Sequence, residues 1–383
     1  MQVYLDHNAT TPVDPRVLEA MLPYYRDKYG NASTLYALGR EARVAIDNAR
    51  ERIAELIHAS PQEIYFTSGG TESDNTALKG VAFANRERGN HLITSQIEHS
   101  AVLDTCRYLE NHGFEVTYLP VDRFGKVSTE ALLKAITDRT LLISIMHANN
   151  EIGTIQPIKE MGAIARERKI YFHTDTVQTF GKLPIDVKQM NIDLLSVSAH
   201  KIYGPKGIGA LYVRKGVKMD PLLHGGEQER KRRAGTENVP AIVGFGKAVE
   251  LAKKQMEEET RHLTKLRDQL FEGIQAKVDG ITLNGHPTDR LPGTLNISVR
   301  HVKGEALLLQ LDRKGIFIST GSACASGSIE PSHVLLALGL PEAEARNSLR
   351  FSLGRENTEE DIAYVLTVFP EVVKKLREVS ALT

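Results

Sequence analysis

Cysteine is scarce in this chain: 383 residues carry only Cys106 and Cys324. Two thiols cannot form the disulfide framework of a small secreted domain, so each is read singly, as a buried thiol or a reactive one. Net charge is absent as well. Lysine plus arginine and aspartate plus glutamate each number 48, which removes the global attraction for nucleic acid or an anionic membrane. No apolar run is long enough to cross a bilayer. The opening Met-Gln-Val-Tyr-Leu-Asp-His-Asn lacks the basic and apolar regions of a signal peptide. These absences point to a cytoplasmic protein with no membrane partner and no direct nucleic-acid partner. One basic run, Arg230 to Arg233, alternates with Glu227, Glu229 and Glu237 and is read as a solvated or subunit-facing segment.

What is present is the balance of a soluble globular protein, 41% hydrophobic and 25% charged, over a length that exceeds one ordinary domain. Apolar strands are expected at Ile64–Phe66, His91–Thr94, Glu115–Leu119, Leu141–Met146 and Lys169–His173. They alternate with helical segments after Thr71, His99, Ser128 and Pro157. That alternation predicts an α/β fold with a mostly parallel sheet covered by helices on both faces. Two more strands flank Lys201. A long charged helix follows Val239, and shorter strands and helices come after it, the last helix starting at a capping box of Thr358 and Asp361. The expected division is a large domain over 15–255 and a smaller α+β domain made of 1–14 and 256–383.

Lys201 lies in Ser-Val-Ser-Ala-His-Lys-Ile-Tyr-Gly-Pro-Lys-Gly, a small-residue turn between two apolar runs. A lysine there is either an ordinary loop residue or, if desolvated, a nucleophilic amine able to form a Schiff base with an aldehyde cofactor. Ligands of a doubly wound sheet bind beyond the carboxyl ends of its strands, and four polar segments lie there. Thr67-Ser68-Gly69-Gly70-Thr71 opens a helix and suits a phosphate, although it is also a plain helix start. His99 is either a cap or a stacking ring. Asn150 lies in a loop rich in donors and acceptors. Asp175 follows a buried strand, where a carboxylate requires a cation or several donors. Pyridoxal 5'-phosphate unites these signals. Lys201 takes its aldehyde, Asp175 its ring nitrogen and the turn at Gly70 and Thr71 its phosphate, while His99 covers the ring and Asn150 and Gln178 approach its oxygen.

Ser-Ala-His-Lys at 198–201, His-Thr-Asp-Thr-Val-Gln at 173–178, Ala-Asn-Asn-Glu at 148–151 and Thr-Gly-Ser-Ala-Cys at 320–324 together resemble the cysteine desulfurases of the NifS/IscS type, within the class V aminotransferase superfamily. Gly-Gly-Glu-Gln-Glu-Arg at 225–230 and Arg-Phe-Ser-Leu-Gly-Arg at 350–355 extend the resemblance over nearly the whole chain. It implies the pyridoxal-phosphate fold type I, with a seven-stranded sheet in the large domain. It also implies a homodimer that converts L-cysteine to L-alanine and carries the sulfur as a persulfide on Cys324. Lys201 is then the Schiff-base lysine and Asp175 the pyridinium partner. Thr71, Ser198 and His200 hold the phosphate, with Thr236 reaching it from the second subunit. Asn31, Asn150 and Arg350 line the substrate site, Arg350 gripping the carboxylate. His99 stacks on the ring and carries protons.

No metal is implied in the catalytic site, although Cys324 would meet an iron–sulfur cluster during transfer. The acceptor would be an iron–sulfur scaffold protein or a tRNA-thiolation protein. Selenocysteine lyase chemistry and a non-catalytic sulfur-transfer scaffold are the alternatives. The small residues around Cys324 predict a segment poorly ordered without a partner, whereas Cys106 is expected to be an inert thiol inside a helix. Ala32 and Tyr36 stand where the family usually has proline and histidine, and Glu227 where a glycine is common.

Overall fold

Asp14 opens the first helix by accepting a hydrogen bond from the Arg16 N–H, while Pro15 occupies a position that needs no N–H partner. The structure, a computed structural model, describes residues 1–320 and 331–380. A short strand, β1 (Val3–Tyr4), precedes α1 (Pro15–Met21) and α2 (Pro23–Arg26). In α3 (Ala37–Leu56), Ala42, Ala45, Ile46, Ala49 and Ile53 are buried along one face at helical spacing.

Strands and helices then alternate as β2 (Ile64–Thr67), α4 (Gly70–Ala84), β3 (His91–Ser95), α5 (Ser100–Glu110), β4 (Glu115–Leu119), α6 (Thr129–Ala135), β5 (Thr140–Ser144), α7 (Ile158–Glu167), β6 (Tyr171–Asp175), β7 (Leu194–Ser198) and β8 (Gly209–Val213). The seven strands form one sheet in the order β2-β8-β7-β6-β5-β3-β4. β8 runs antiparallel to both neighbours, and the remaining pairs are parallel. All five residues of β3, β5, β7 and β8 are buried, as strands covered on both faces must be. Several boundaries shift by one or two residues from expectation. β5 ends at Ser144 rather than Met146, and β6 runs from Tyr171 through Asp175 rather than Lys169–His173, because its pairing with β7 continues to Asp175 opposite Ser196.

The 39-residue α8 (Val239–Lys277) joins two cores. Val239, Ile242, Phe245 and Val249 pack with α3 and the large sheet, whereas Leu263, Leu266, Leu270 and Ile274 belong to a second cluster with Val3, Leu5, Leu295, Phe351 and Phe369. The rest of the chain forms β9 (Ile281–Asn284), β10 (Thr294–Val299), α9 (Gly304–Asp312), β11 (Ile316–Phe317), α10 (His333–Ala337), α11 (Glu342–Ala345), β12 (Ser348–Ser352) and α12 (Glu359–Ser380); α10 and α11 bury Val334, Leu335 and Ala345 apart from that cluster, with Ile97, Met146 and Ile152. β12, β10 and β9 form an antiparallel sheet, and β1 pairs in parallel with β11. Thr358 and Asp361 cap α12 reciprocally, the Thr358 N–H donating to the Asp361 carboxylate at 3.0 Å and the Asp361 N–H to the Thr358 hydroxyl at 3.2 Å. Among the described residues, no helix is long and apolar enough to cross a membrane.

Candidate active site

A parallel sheet delivers the carboxyl ends of its strands to one edge, and here β6 ends at Asp175 and β7 at Ser198, next to the Ala199–Lys201 turn. At that edge is a cavity of about 280 Å³ lined by Gly70, Thr71, His99, Asn150, Asp175, Gln178, Ser198, His200, Lys201 and Arg350. These ten are among the expected site residues. Sequence reasoning missed Asn8, Ala9 and Asp74, which line the same cavity.

The Lys201 amine donates to the carbonyl oxygens of Asn8 at 2.5 Å and Ala9 at 2.6 Å. Burial pushes its pKa down to about 7, helped by the positive charges of Lys182 and Arg350, against the opposing pull of Asp6 and Asp175. A neutral amine has two N–H groups, and these two carbonyls satisfy both. The lone pair is then free, as a nucleophile or base requires.

Asp175 accepts the Val177 N–H at 2.8 Å. Burial raises its pKa, while the Val177 N–H, His99 and Lys201 favour the charged form. The Gln178 amide donates to the Asn8 carbonyl at 3.0 Å, and its buried Oε1 has no partner among the described residues. His99 is both a cap and a cavity residue. Its Nδ1 accepts the Ala101 N–H at the start of α5 at 3.1 Å, so Nε2 is the edge that carries the hydrogen of the neutral ring.

At the start of α4 a second recess of about 350 Å³ shares Gly70, Thr71, Ser198 and His200 with the main cavity and adds Lys206. Free helix N–H groups and a positive dipole end suit an anion there. Gly69 has φ +154°, and a Cβ on Gly209 would come within 2.7 Å of the Gly69 Cα, so the turn stacks directly on β8. The His200 ring is held at 3.1 Å from the Thr10 hydroxyl. Burial, with Lys201 and Lys206 nearby, lowers its pKa to about 4, so it offers a neutral ring. The donor set therefore fits pyridoxal phosphate: an amine with a substantial neutral fraction near pH 7 for the aldehyde, a carboxyl group for the ring nitrogen, an orphaned amide oxygen for a ring substituent and a helix start for the phosphate.

Arg350 enters from β12. It pairs with Asp6 at 2.7 Å and donates to the Asn150 carbonyl at 3.2 Å, while its buried Nε has no partner among the described residues. The Arg350 and Ser319 backbones hydrogen-bond to each other at 2.7 and 3.1 Å. Ser319 thus lies beside the cavity wall, five residues before Cys324. Cys324 and the segment Ser322–Ser328 lie outside the described residues. Asn31 and Thr236 are exposed and do not line the cavity within this chain. Cys106 is fully buried in α5, and burial pushes its thiol pKa up.

Residues 3–365 match the family described as aminotransferase class-V. A cysteine desulfurase IscS of Methanosarcina thermophila is 62% identical over 381 residues, covering 100% of this chain and 94% of the relative. A solved NifS-like protein superposes with a TM-score of 0.93 at 43% identity, covering 98% of this chain and all of the other. A structure of SspA in complex with cysteine gives a TM-score of 0.82 at 44% identity over 93% of this chain and all of that one.

Proposed function

The chain belongs to the class V aminotransferase family, among its cysteine desulfurases, and from that premise we propose that the cavity takes L-cysteine and passes its sulfur to Cys324. The observation that carries this reading is Lys201. Its amine is held between two backbone carbonyls and lines one cavity with Asp175 and Arg350.

Lys201 would hold the aldehyde of pyridoxal phosphate, Asp175 the ring nitrogen, and Gly70, Thr71, Ser198 and His200 the phosphate. The bound cofactor supplies an electron sink next to the substrate Cα. Arg350 binds the substrate carboxylate through its planar fork, with Asn150 beside it. The Lys201 amine, once free, removes the Cα proton, a task suited to a base titrating near neutrality. His99 orients by its Nδ1 contact and moves protons at Nε2. The Cys324 thiolate attacks the substrate sulfur and forms an S–S bond. The substrate C–S bond breaks with its electron pair left on carbon, which is then protonated to give alanine.

Asn31 is assigned to the substrate site and Thr236 to the phosphate site of a second subunit, so the working form is a homodimer. It is cytoplasmic, and an iron–sulfur scaffold or a tRNA-thiolation protein receives the sulfur. The large unit is 15–255, and 1–14 with 256–383 form the smaller one. Alanine release from L-cysteine tests the reading. Wild-type protein should release alanine, and both Lys201→Ala and Cys324→Ala should lose release by orders of magnitude. Cys324→Ala alone should keep the cofactor's lysine-linked absorbance. Full turnover by Cys324→Ala would overturn the assignment of the sulfur acceptor.

A further inference from the structure

Asp74 is buried in α4 at 1% exposure, lines the cofactor cavity, and has one carboxyl oxygen, Oδ1, with no hydrogen-bond partner among the described residues. The groups facing it come from several elements. β6 presents His173 and Asp175, and β7 presents Ser196, which favours the charged form of Asp74. The turn after β3 presents Glu98, itself buried and accepting from the Ser95 hydroxyl at 2.6 Å and the Met146 N–H at 3.0 Å. His99 and Lys201 line the same cavity.

A buried carboxylate needs a cation, and His173 is the ring closest in kind, with Nε2 at 3.6 Å from the unpartnered oxygen. His173 cannot serve. Its Nδ1 lies 2.8 Å from the Ser144 hydroxyl and its Nε2 3.0 Å from the Ser196 hydroxyl, and complete burial lowers its pKa to about 3. Asp175 has what Asp74 lacks: the Val177 N–H donates to it, and His99 and Lys201 favour its charge. Two buried carboxylates lining one cavity disfavour each other's charge, and the site with fewer donors keeps the proton. Burial and the charge of Asp175 accordingly push the Asp74 carboxyl well above the carboxylate range.

We propose that Asp74 and Asp175 form a carboxyl pair with one proton, held on Asp74, which fixes a single negative charge on Asp175 opposite the cofactor's ring nitrogen. Asp74 is then a positioning residue that acts through Asp175. Its consequence for the cofactor rests on the reading of this cavity as a pyridoxal phosphate site, but the proton itself belongs to the protein without cofactor.

The test is therefore made first on cofactor-free protein. The infrared difference spectrum of wild type minus Asp74→Asn at neutral pH should contain the carbonyl band of an un-ionised carboxylic acid. Glu98 cancels in the difference, since both proteins contain it. Pyridoxal phosphate affinity is the second readout. Asp74→Asn, neutral like the protonated acid, should bind within a few-fold of wild type, whereas Asp175→Asn should bind at least about tenfold more weakly, having lost a charge-assisted bond. Absence of the band from the difference spectrum, or a loss in Asp74→Asn as large as in Asp175→Asn, would overturn the proposal. Should Asp74→Asn fail to fold, ring nitrogen NMR of wild-type His173 decides. A neutral imidazole supports the carboxyl proton, and an imidazolium would make the pair ionic and overturn it. Protein that shows the band yet binds no pyridoxal phosphate would refute the cofactor reading and leave the proton on Asp74 intact.

Discussion

Lys201 shows how much a side chain depends on what surrounds it. In water its amine would titrate near 10.4. Here burial and neighbouring positive charge bring it to about 7. Lowering an amine's pKa enlarges the neutral fraction, which is the form that attacks an aldehyde. The sign is therefore fixed: capture of pyridoxal phosphate by cofactor-free protein should accelerate as pH rises through about 7 and level off above it. Stopped-flow absorbance measures this directly, and a midpoint near 10 would contradict the environment described. Lys201 and Asp175 were legible in the sequence because each is chemically out of place, a cation on a small-residue turn and a carboxylate at the end of an apolar run. Asp74 and Lys206 were not legible. An aspartate within a helix and a lysine between Pro205 and Gly207 break no local rule, and only the packing of α4 and β8 at the strand ends brings them to the site.

Among the elements, the strands were readable where burial on both sides leaves an apolar stretch, Leu141–Ile143 in β5 and Leu194–Leu195 in β7. The position of β8 between β2 and β7, opposite in direction to both, was not, because a single sequence carries no signal for strand order. β9 was also missed; only four residues long and with no fully buried interior, it has too little periodicity to register. The phosphate end of the site depends on how these elements meet. A Cβ on Gly209 would lie 2.4 Å from the Val197 carbonyl oxygen and 2.7 Å from the Gly69 Cα, and both obstacles are backbone. Gly209→Ala should thus push the Gly69–Gly70 turn out of place, costing about 1–3 kcal/mol of stability and weakening pyridoxal phosphate binding more than L-cysteine binding. Denaturant melts and cofactor titrations check this. An unchanged cofactor affinity would show that the turn does not form the phosphate end.

For the whole molecule, α8 carries the chain from one core to the other, and β1 returns the N-terminus to β11, so Asn8 and Arg350, 342 positions apart, line one cavity. Thr236 and Asn31 are exposed within a single chain, as are Leu22, Tyr25, Tyr29, Leu35 and Tyr36 on the N-terminal helices and the loop between them. If Thr236 serves the second subunit's site, mixing Lys201→Ala with Thr236→Ala protein should create hybrid dimers in which one site has both residues intact. Cofactor affinity and turnover should then recover toward a fraction of wild type. No recovery after subunit exchange would mean that Thr236 acts within its own chain or not at all. The overall family was legible because its motifs are local and ordered along the chain, whereas the pairing of subunits is a property of surfaces that sequence alone does not align.

The central claim is that Lys201 and its cavity release sulfur from L-cysteine and that Cys324 receives it. Holoenzyme incubated briefly with L-cysteine, then digested and read by mass spectrometry, tests it most directly. The account predicts one added sulfur atom on the peptide containing Cys324, alanine formed alongside it, and neither in Lys201→Ala. Alanine formed with no sulfur on that peptide, or sulfur found instead on Cys106, would contradict it.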